Sequence, residues 1–189
     1  MNMYGSSDLE KNKKRLLEIL IKEAFFKEKI KLSSGKESDF YIDARRVTLK
    51  PEGVYLAAKI ILDILKDDSV DAIGGPMIGA DPLVGAIAAL SFEQGRPINT
   101  FIVRKAPKPH GKQQQIEGPL LKEKARVVLI DDVATTGQSI IQSIDVLKQL
   151  GIEAKKAICI VDRLEGAKEN LAKAHCQLIS IFNSSDFPR

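Results

Sequence analysis

The sequence of 189 residues has no Trp and only two Cys, two His and three Met. The cysteines, Cys159 and Cys176, lack a CxxC pair and closely spaced histidines, so neither a disulfide framework nor a structural zinc site is expected. Seven Phe and three Tyr, with no basic stripe interleaved among them, give little support to a single-strand stacking platform for nucleic acid. Gly and Pro are too few, at 13 and 8, for a collagen-like or low-complexity chain. Long apolar runs are missing too: uncharged stretches such as 72–80, 82–92 and 133–144 are too short to span a bilayer. The opening MNMYGSSDLEKNKKR runs polar then basic with no apolar segment behind it, and predicts a cytoplasmic protein rather than a secreted one.

What is present is enough for one globular unit: 44% hydrophobic and 29% charged residues, with a formal charge of +4. Such a mild basic excess suits small polyanions as readily as nucleic acid. Leu9, Leu16, Leu17, Leu20, Ala24 and Phe25 recur at helical spacing and predict an amphipathic packing helix over 8–29. The following KIKLSSGKESDFYIDARRVTL alternates around Ser-Ser-Gly and reads as a hairpin-like strand pair.

From Pro51 the pattern becomes helix then strand, repeated. Helices are predicted near 52–66, 81–93, 138–150 and 165–174, and strands near 72–73, 98–103, 126–130, 154–161 and 177–182. Continuous apolar strands such as VVLI and AICIV in that alternation predict an α/β fold, a mostly parallel sheet with helices on both faces. The run RKAPKPHGKQQQIEG interrupts it, rich in Lys, Pro, Gln and Gly, and reads as a cationic lid over 105–118.

The chemistry concentrates in RVVLIDDVATTGQSI, residues 126–140. A buried strand ends in Asp131 and Asp132, and a small polar turn, Ala134-Thr135-Thr136-Gly137, opens a helix at Gln138-Ser139. Backbone N–H groups of such a turn, the helix N-terminus and the hydroxyls of Thr135, Thr136 and Ser139 form a cradle for a phosphate dianion. Carboxylates that close to a phosphate need another partner, and vicinal ribose hydroxyls can donate to them. The stretch thus describes a ribose 5-phosphate. Neither GxxxxGK[ST] nor GxGxxG occurs, and a phosphotransfer aspartate pair is disfavoured because neighbours on a strand point apart. An acidic cap at an ordinary turn accounts for one polar residue of the run, not for all of them.

VVLIDDVATTGQSI resembles the phosphoribosyl-pyrophosphate (PRPP) motif of the type I phosphoribosyltransferases. FYIDARRV after LSSG, GGPMIGADPLVGAIA, RKAPKPHG and VDRLEGAKENL follow the order found in the orotate branch of that family, over about residues 15–170. The resemblance implies the type I phosphoribosyltransferase fold, with an N-terminal hood at 1–50 contributing to the base pocket and a PRPP-binding core at 51–189. It implies transfer of ribose 5-phosphate from PRPP to orotate, giving orotidine 5′-phosphate and pyrophosphate in UMP synthesis. It further implies Mg²⁺ held by diphosphate and ribose oxygens rather than by the protein, and a homodimer that shares its lid across the interface, with no nucleic-acid or membrane partner.

By the same resemblance, Arg104, Lys105, Lys108 and His110 close on the diphosphate, and Lys105, Lys108, Asp131 and Asp132 are the catalytic candidates. Asp131 and Asp132 match ribose ligands, and Val133, Ala134, Thr135, Thr136, Gly137, Gln138 and Ser139 the 5-phosphate segment. Thr135 and Arg163, with the backbone around Phe40 and Tyr41, match orotate contacts, and residues 74–80 match the pyrophosphate loop. Ser33 and Gly79 stand where many members carry lysine. Gly74 to Gly79, Arg104, Asp131 and Arg163 all follow predicted parallel strands, the rim where open α/β sheets bind ligands. Two other readings stay open: a phosphoribosyltransferase for another base, and a non-catalytic sugar-phosphate-sensing regulator.

Overall fold

A computed structural model describes residues 6–28, 30–31, 37–107 and 115–188. Helix α1 (Ser6–Glu23) opens the chain, followed by four two-residue strands, β1 (Phe25–Phe26), β2 (Ile30–Lys31), β3 (Glu37–Ser38) and β4 (Tyr41–Ile42). β2 pairs antiparallel with β3, as the alternation predicts, and β1 with β4. Two expectations are corrected here. The first helix ends six residues early, because Phe25 and Phe26 satisfy their backbone against Tyr41 and Ile42 instead. Within DARRVT the chain turns helical, forming α2 (Arg45–Thr48), where Val47 and Thr48 are buried.

The core then runs α3 (Pro51–Ile64), β5 (Ala72–Pro76), α4 (Asp81–Glu93), β6 (Asn99–Val103), β7 (Ile116–Glu117), β8 (Val127–Ala134), α5 (Gln138–Lys148), β9 (Lys156–Asp162), α6 (Ala167–Lys173) and β10 (Gln177–Asn183). Proline near the first turn, where its missing N–H costs nothing, starts α3 and α4. The sheet order is β10-β9-β8-β5-β6-β7. All pairings are parallel except that of β7, which lies antiparallel on β6.

Each central strand feeds two apolar layers by period-two alternation. Val128, Ile130, Ile158 and Ile160 join α1, α3 and α4 in one cluster. Val127, Leu129, Ala157 and Cys159 join α5 and α6 in the other, with Cys176. Both cysteines are buried thiols, as expected. Leu16, Leu20, Ile42 and Val47 belong to the first cluster, so the N-terminal elements are packed into it. No helix among the described residues is long and apolar enough to cross a membrane.

Candidate active site

β8 is longer than the sequence suggests. It carries Asp131 and Asp132 within the strand, not after it, and ends at Ala134. Asp131 is 6% exposed. Its Oδ2 accepts from Ser139 Oγ at 2.8 Å and its Oδ1 from the Asp132 N–H at 2.9 Å. Asp132 Oδ1 accepts from the Val133 N–H at 2.7 Å. Burial raises the pKa of both carboxyls. For Asp131 the neighbouring Asp132 adds to the rise and the Ser139 hydroxyl opposes it. For Asp132 the Val133 N–H and the Arg45 charge oppose it.

The two carboxylates do not diverge as strand neighbours were expected to. The bond from Asp132 N–H turns Asp131 back along the chain, and both Oδ1 atoms crowd Gly79. A Cβ at that position would lie 2.2 Å from Asp131 and 2.5 Å from Asp132. The geometric ground for disfavouring a shared-carboxylate site is therefore absent. Gly75 is equally confined, its Cβ position 1.9 Å from the Ile130 carbonyl oxygen, so backbone 74–80 lies directly against β8. The Met77–Ile78 peptide in this loop is cis.

Beyond Ala134 the chain turns through Gly137, whose φ of +75° is the left-handed region that favours glycine. The opening N–H groups of α5 have no partner inside the helix, and no side chain caps them. Such unpartnered groups are what an anion cradle needs; around them Thr135 and Thr136 are half-buried and Gln138 is exposed. Asn170 in α6, which the sequence reading missed, donates to the Thr136 carbonyl at 3.0 Å and pins the loop from behind. Its only sequence signal is a position one turn into the helix after VDRLEG.

Arg163 directly follows β9, and its N–H bonds the Ala134 carbonyl at 2.9 Å. The side chain is not on the surface: the residue is 4% exposed. Its guanidinium lies 4.7 Å from the centre of the Phe40 ring. Nε donates to Glu165 at 2.9 Å and Nη2 to the Phe40 carbonyl at 3.4 Å. The structure thus joins Phe40, Arg163 and the start of the Thr135 turn, three segments far apart in sequence. Tyr41 lies beside them in β4, half-buried.

Arg104 leaves β6 at the base of the lid. Its N–H bonds the Gln115 carbonyl at 2.7 Å and its Nη1 lies 3.3 Å from Glu117, while its buried Nε has no hydrogen-bond partner among the described residues. Lys105 is exposed. Lys108 and His110 lie outside the described residues, as does Ser33. A cavity of about 590 Å³ opens at the opposite end of the strands, where Lys156 pairs with Asp68 and Arg126 with Asp71. It holds none of the candidate residues.

A rim formed by the 74–80 loop, the carboxylate pair, the α5 turn and Arg163, at the carboxyl ends of parallel strands, defines a phosphoribosyl transferase domain. Residues 48–188 match that family. The chain is 41% identical over 174 residues to the orotate phosphoribosyltransferase of Aquifex aeolicus (strain VF5), covering 92% of each. It is 40% identical over 176 residues to that of Bradyrhizobium sp. (strain ORS 278), covering 92% of this chain and 95% of the relative. Mycobacterium tuberculosis H37Rv orotate phosphoribosyltransferase in complex with Fe(III) dicitrate is similar at a TM-score of 0.80 and 32% identity, over 93% of this chain and 98% of that one. The same enzyme in complex with 5-phospho-alpha-D-ribosyl 1-diphosphate is similar at 0.76 and 25% identity, over 98% and 94%. The chain belongs to the orotate phosphoribosyltransferase family.

Proposed function

We propose that this protein transfers ribose 5-phosphate from PRPP to a ring nitrogen of orotate, releasing pyrophosphate. The observation that carries the reading is the meeting of the Asp131–Asp132 carboxylate pair, the Gly137 turn and the Arg163–Phe40 contact on one rim. In the reaction the bond from the anomeric carbon to diphosphate breaks with its electron pair on the leaving oxygen, and a bond from orotate nitrogen to that carbon forms. No enzyme nucleophile is required. Catalysis lies in holding the two substrates in line and in neutralising charge that grows on the diphosphate.

The 5-phosphate sits in the turn from Thr135 to Ser139 on the α5 N-terminus. Asp131 and Asp132 accept from the ribose hydroxyls, which replace part of the solvation that burial removed. Arg163 presents its planar fork to the orotate carboxylate, with Thr135 and the backbone at Phe40 and Tyr41 completing the base pocket. Arg104 and Lys105, with Lys108 and His110 further along the lid, close over the diphosphate.

No cluster of three His, Cys, Asp or Glu occurs among the described residues. An ion that keeps waters and takes its ligands from diphosphate and ribose oxygens, the habit of Mg²⁺, would be held there by the substrate rather than by the protein. When bound with the diphosphate, that ion supplies charge neutralisation. The working form is a cytoplasmic homodimer, each lid reaching the neighbour's site, with residues 1–50 as hood over the core at 51–189.

The test is to mix purified protein with Mg²⁺, PRPP and orotate and to follow orotate absorbance. Loss of absorbance with pyrophosphate release is the expected result. Consumption of adenine or hypoxanthine while orotate is inert would overturn it in favour of another base. No turnover together with a DNA mobility shift would make the chain a regulator.

A further inference from the structure

The loop at 74–80, GGPMIGA, carries no cation, and its Gly79 lies against Asp131 and Asp132. A diphosphate resting there meets two carboxylates before any positive charge of the loop itself. Beside Ile78, however, a cavity of about 770 Å³ opens towards α2 and the end of α1, with Lys22, Arg45, Arg46 and Lys50 on its walls.

Two of these cations are occupied locally. The Arg46 guanidinium lies 4.8 Å from the centre of the Phe26 ring, and Lys50 pairs with Glu23. Lys22 sits next to Glu23 on the exposed side of α1. Arg45 differs. Its Nε donates to Asp43 at 3.0 Å, yet its terminal nitrogens form no hydrogen bond among the described residues, and its side chain is 43% exposed. The Asp43 contact holds the stem and leaves the fork to reach a ligand. Its charge also reaches Asp132, favouring the ionised form of that carboxyl.

We propose that Arg45 binds the diphosphate from the hood side of the 74–80 loop, facing the lid across the leaving group. The proposal rests on the phosphoribosyl-transfer reading above and adds a substrate contact from α2. A guanidinium in that place offsets the two carboxylates and presents two parallel donors to phosphate oxygens, which an ammonium cannot do.

The experiment compares wild type with Arg45→Ala and Arg45→Lys. Calorimetric binding of Mg²⁺-pyrophosphate is measured first, then forward kinetics with PRPP and orotate varied separately. Loss of a charge-assisted contact predicts weaker pyrophosphate binding and a higher KM for PRPP, each by roughly tenfold to a hundredfold in Arg45→Ala. Arg45→Lys should fall in between, with KM for orotate within about twofold and the thermal midpoint unchanged. Wild-type pyrophosphate affinity and PRPP KM in both variants would overturn the proposal. If wild type consumes no orotate but binds pyrophosphate through Arg45, the transfer reading fails and this one stands.

Discussion

The two ends of the central strands carry acids in opposite circumstances. Just before β5, Asp71 receives two hydrogen bonds from the Arg126 side chain, at 2.9 and 2.7 Å, and one from its N–H at 2.8 Å. Those bonds hold its carboxyl well below the usual range. At the other end of β8, buried Asp131 and half-buried Asp132 have no basic side chain hydrogen-bonded to either among the described residues, and their pKa values rise. At the amino end the Asp71 carboxylate is satisfied by Arg126. The carboxyl end is left with carboxylates whose demand for donors and positive charge, on the function proposed above, ribose hydroxyls and the cations of 104–110 would meet. Unmet demand of this kind marks a ligand site better than a count of polar residues does.

The harshest challenge to this contrast is to remove lid charge. Lys105→Ala and Lys108→Ala should each lower kcat by roughly a hundredfold to a thousandfold, the usual cost of one transition-state charge donor, with unfolding temperature unmoved. Unchanged turnover in both would mean that the rim's deficit is met elsewhere. Next comes Asp131→Asn, expected to weaken PRPP binding by roughly tenfold to a hundredfold.

The same substitution sharpens the contrast through pH. Because the folded pKa of Asp131 is raised, the stability that its neutral form contributes is present below the ordinary carboxylate range and is lost as pH rises towards the raised value. Thermal scans of unliganded wild type should therefore show a falling midpoint over that window, and Asp131→Asn a flatter curve. Asp71 has the opposite sign. Its depressed pKa gives stability that is present above the ordinary range and lost as pH falls below it.

A smaller effect is expected at Gly137. Alanine there must adopt φ near +75° and place its Cβ 3.3 Å from Leu171, costing about 1–2 kcal/mol in chemical denaturation and raising KM for PRPP. Smallest of all is Asp71→Asn: kcat and KM should match wild type, with only a slight drop in thermal midpoint at neutral pH, because the pair is solvent-exposed. A kinetic defect in that variant would break the division between the two ends.

Much of this was legible in the chain because periodicity is a local signal. The helix at 81–93 appears at its predicted bounds, and VVLI and AICIV pair as parallel strands. The hood was harder. Phe25-Phe26 continues the apolar spacing of α1, and only the distant Tyr41–Ile42 makes it a strand. DARRVT alternates like a strand but buries Val47 and Thr48 in a helical turn. At the site, residue types were readable while mutual geometry was not. Nothing local to Asp131 and Asp132 foretells that both would press on Gly79, that Asn170 would hold Thr136, or that Arg163 would lie over Phe40.

The short antiparallel strand β7 ties a second property to the segment proposed as a lid. Ile116 and Glu117 cover Val103 and Ile102 on the outer side of β6, so returning from the lid is also how the chain seals that flank of its sheet. Trimming the loop to speed product escape would strip this cover and offer a bare row of amides and carbonyls to a neighbouring molecule. Engineers shortening the segment should therefore watch for clumping as closely as for altered turnover.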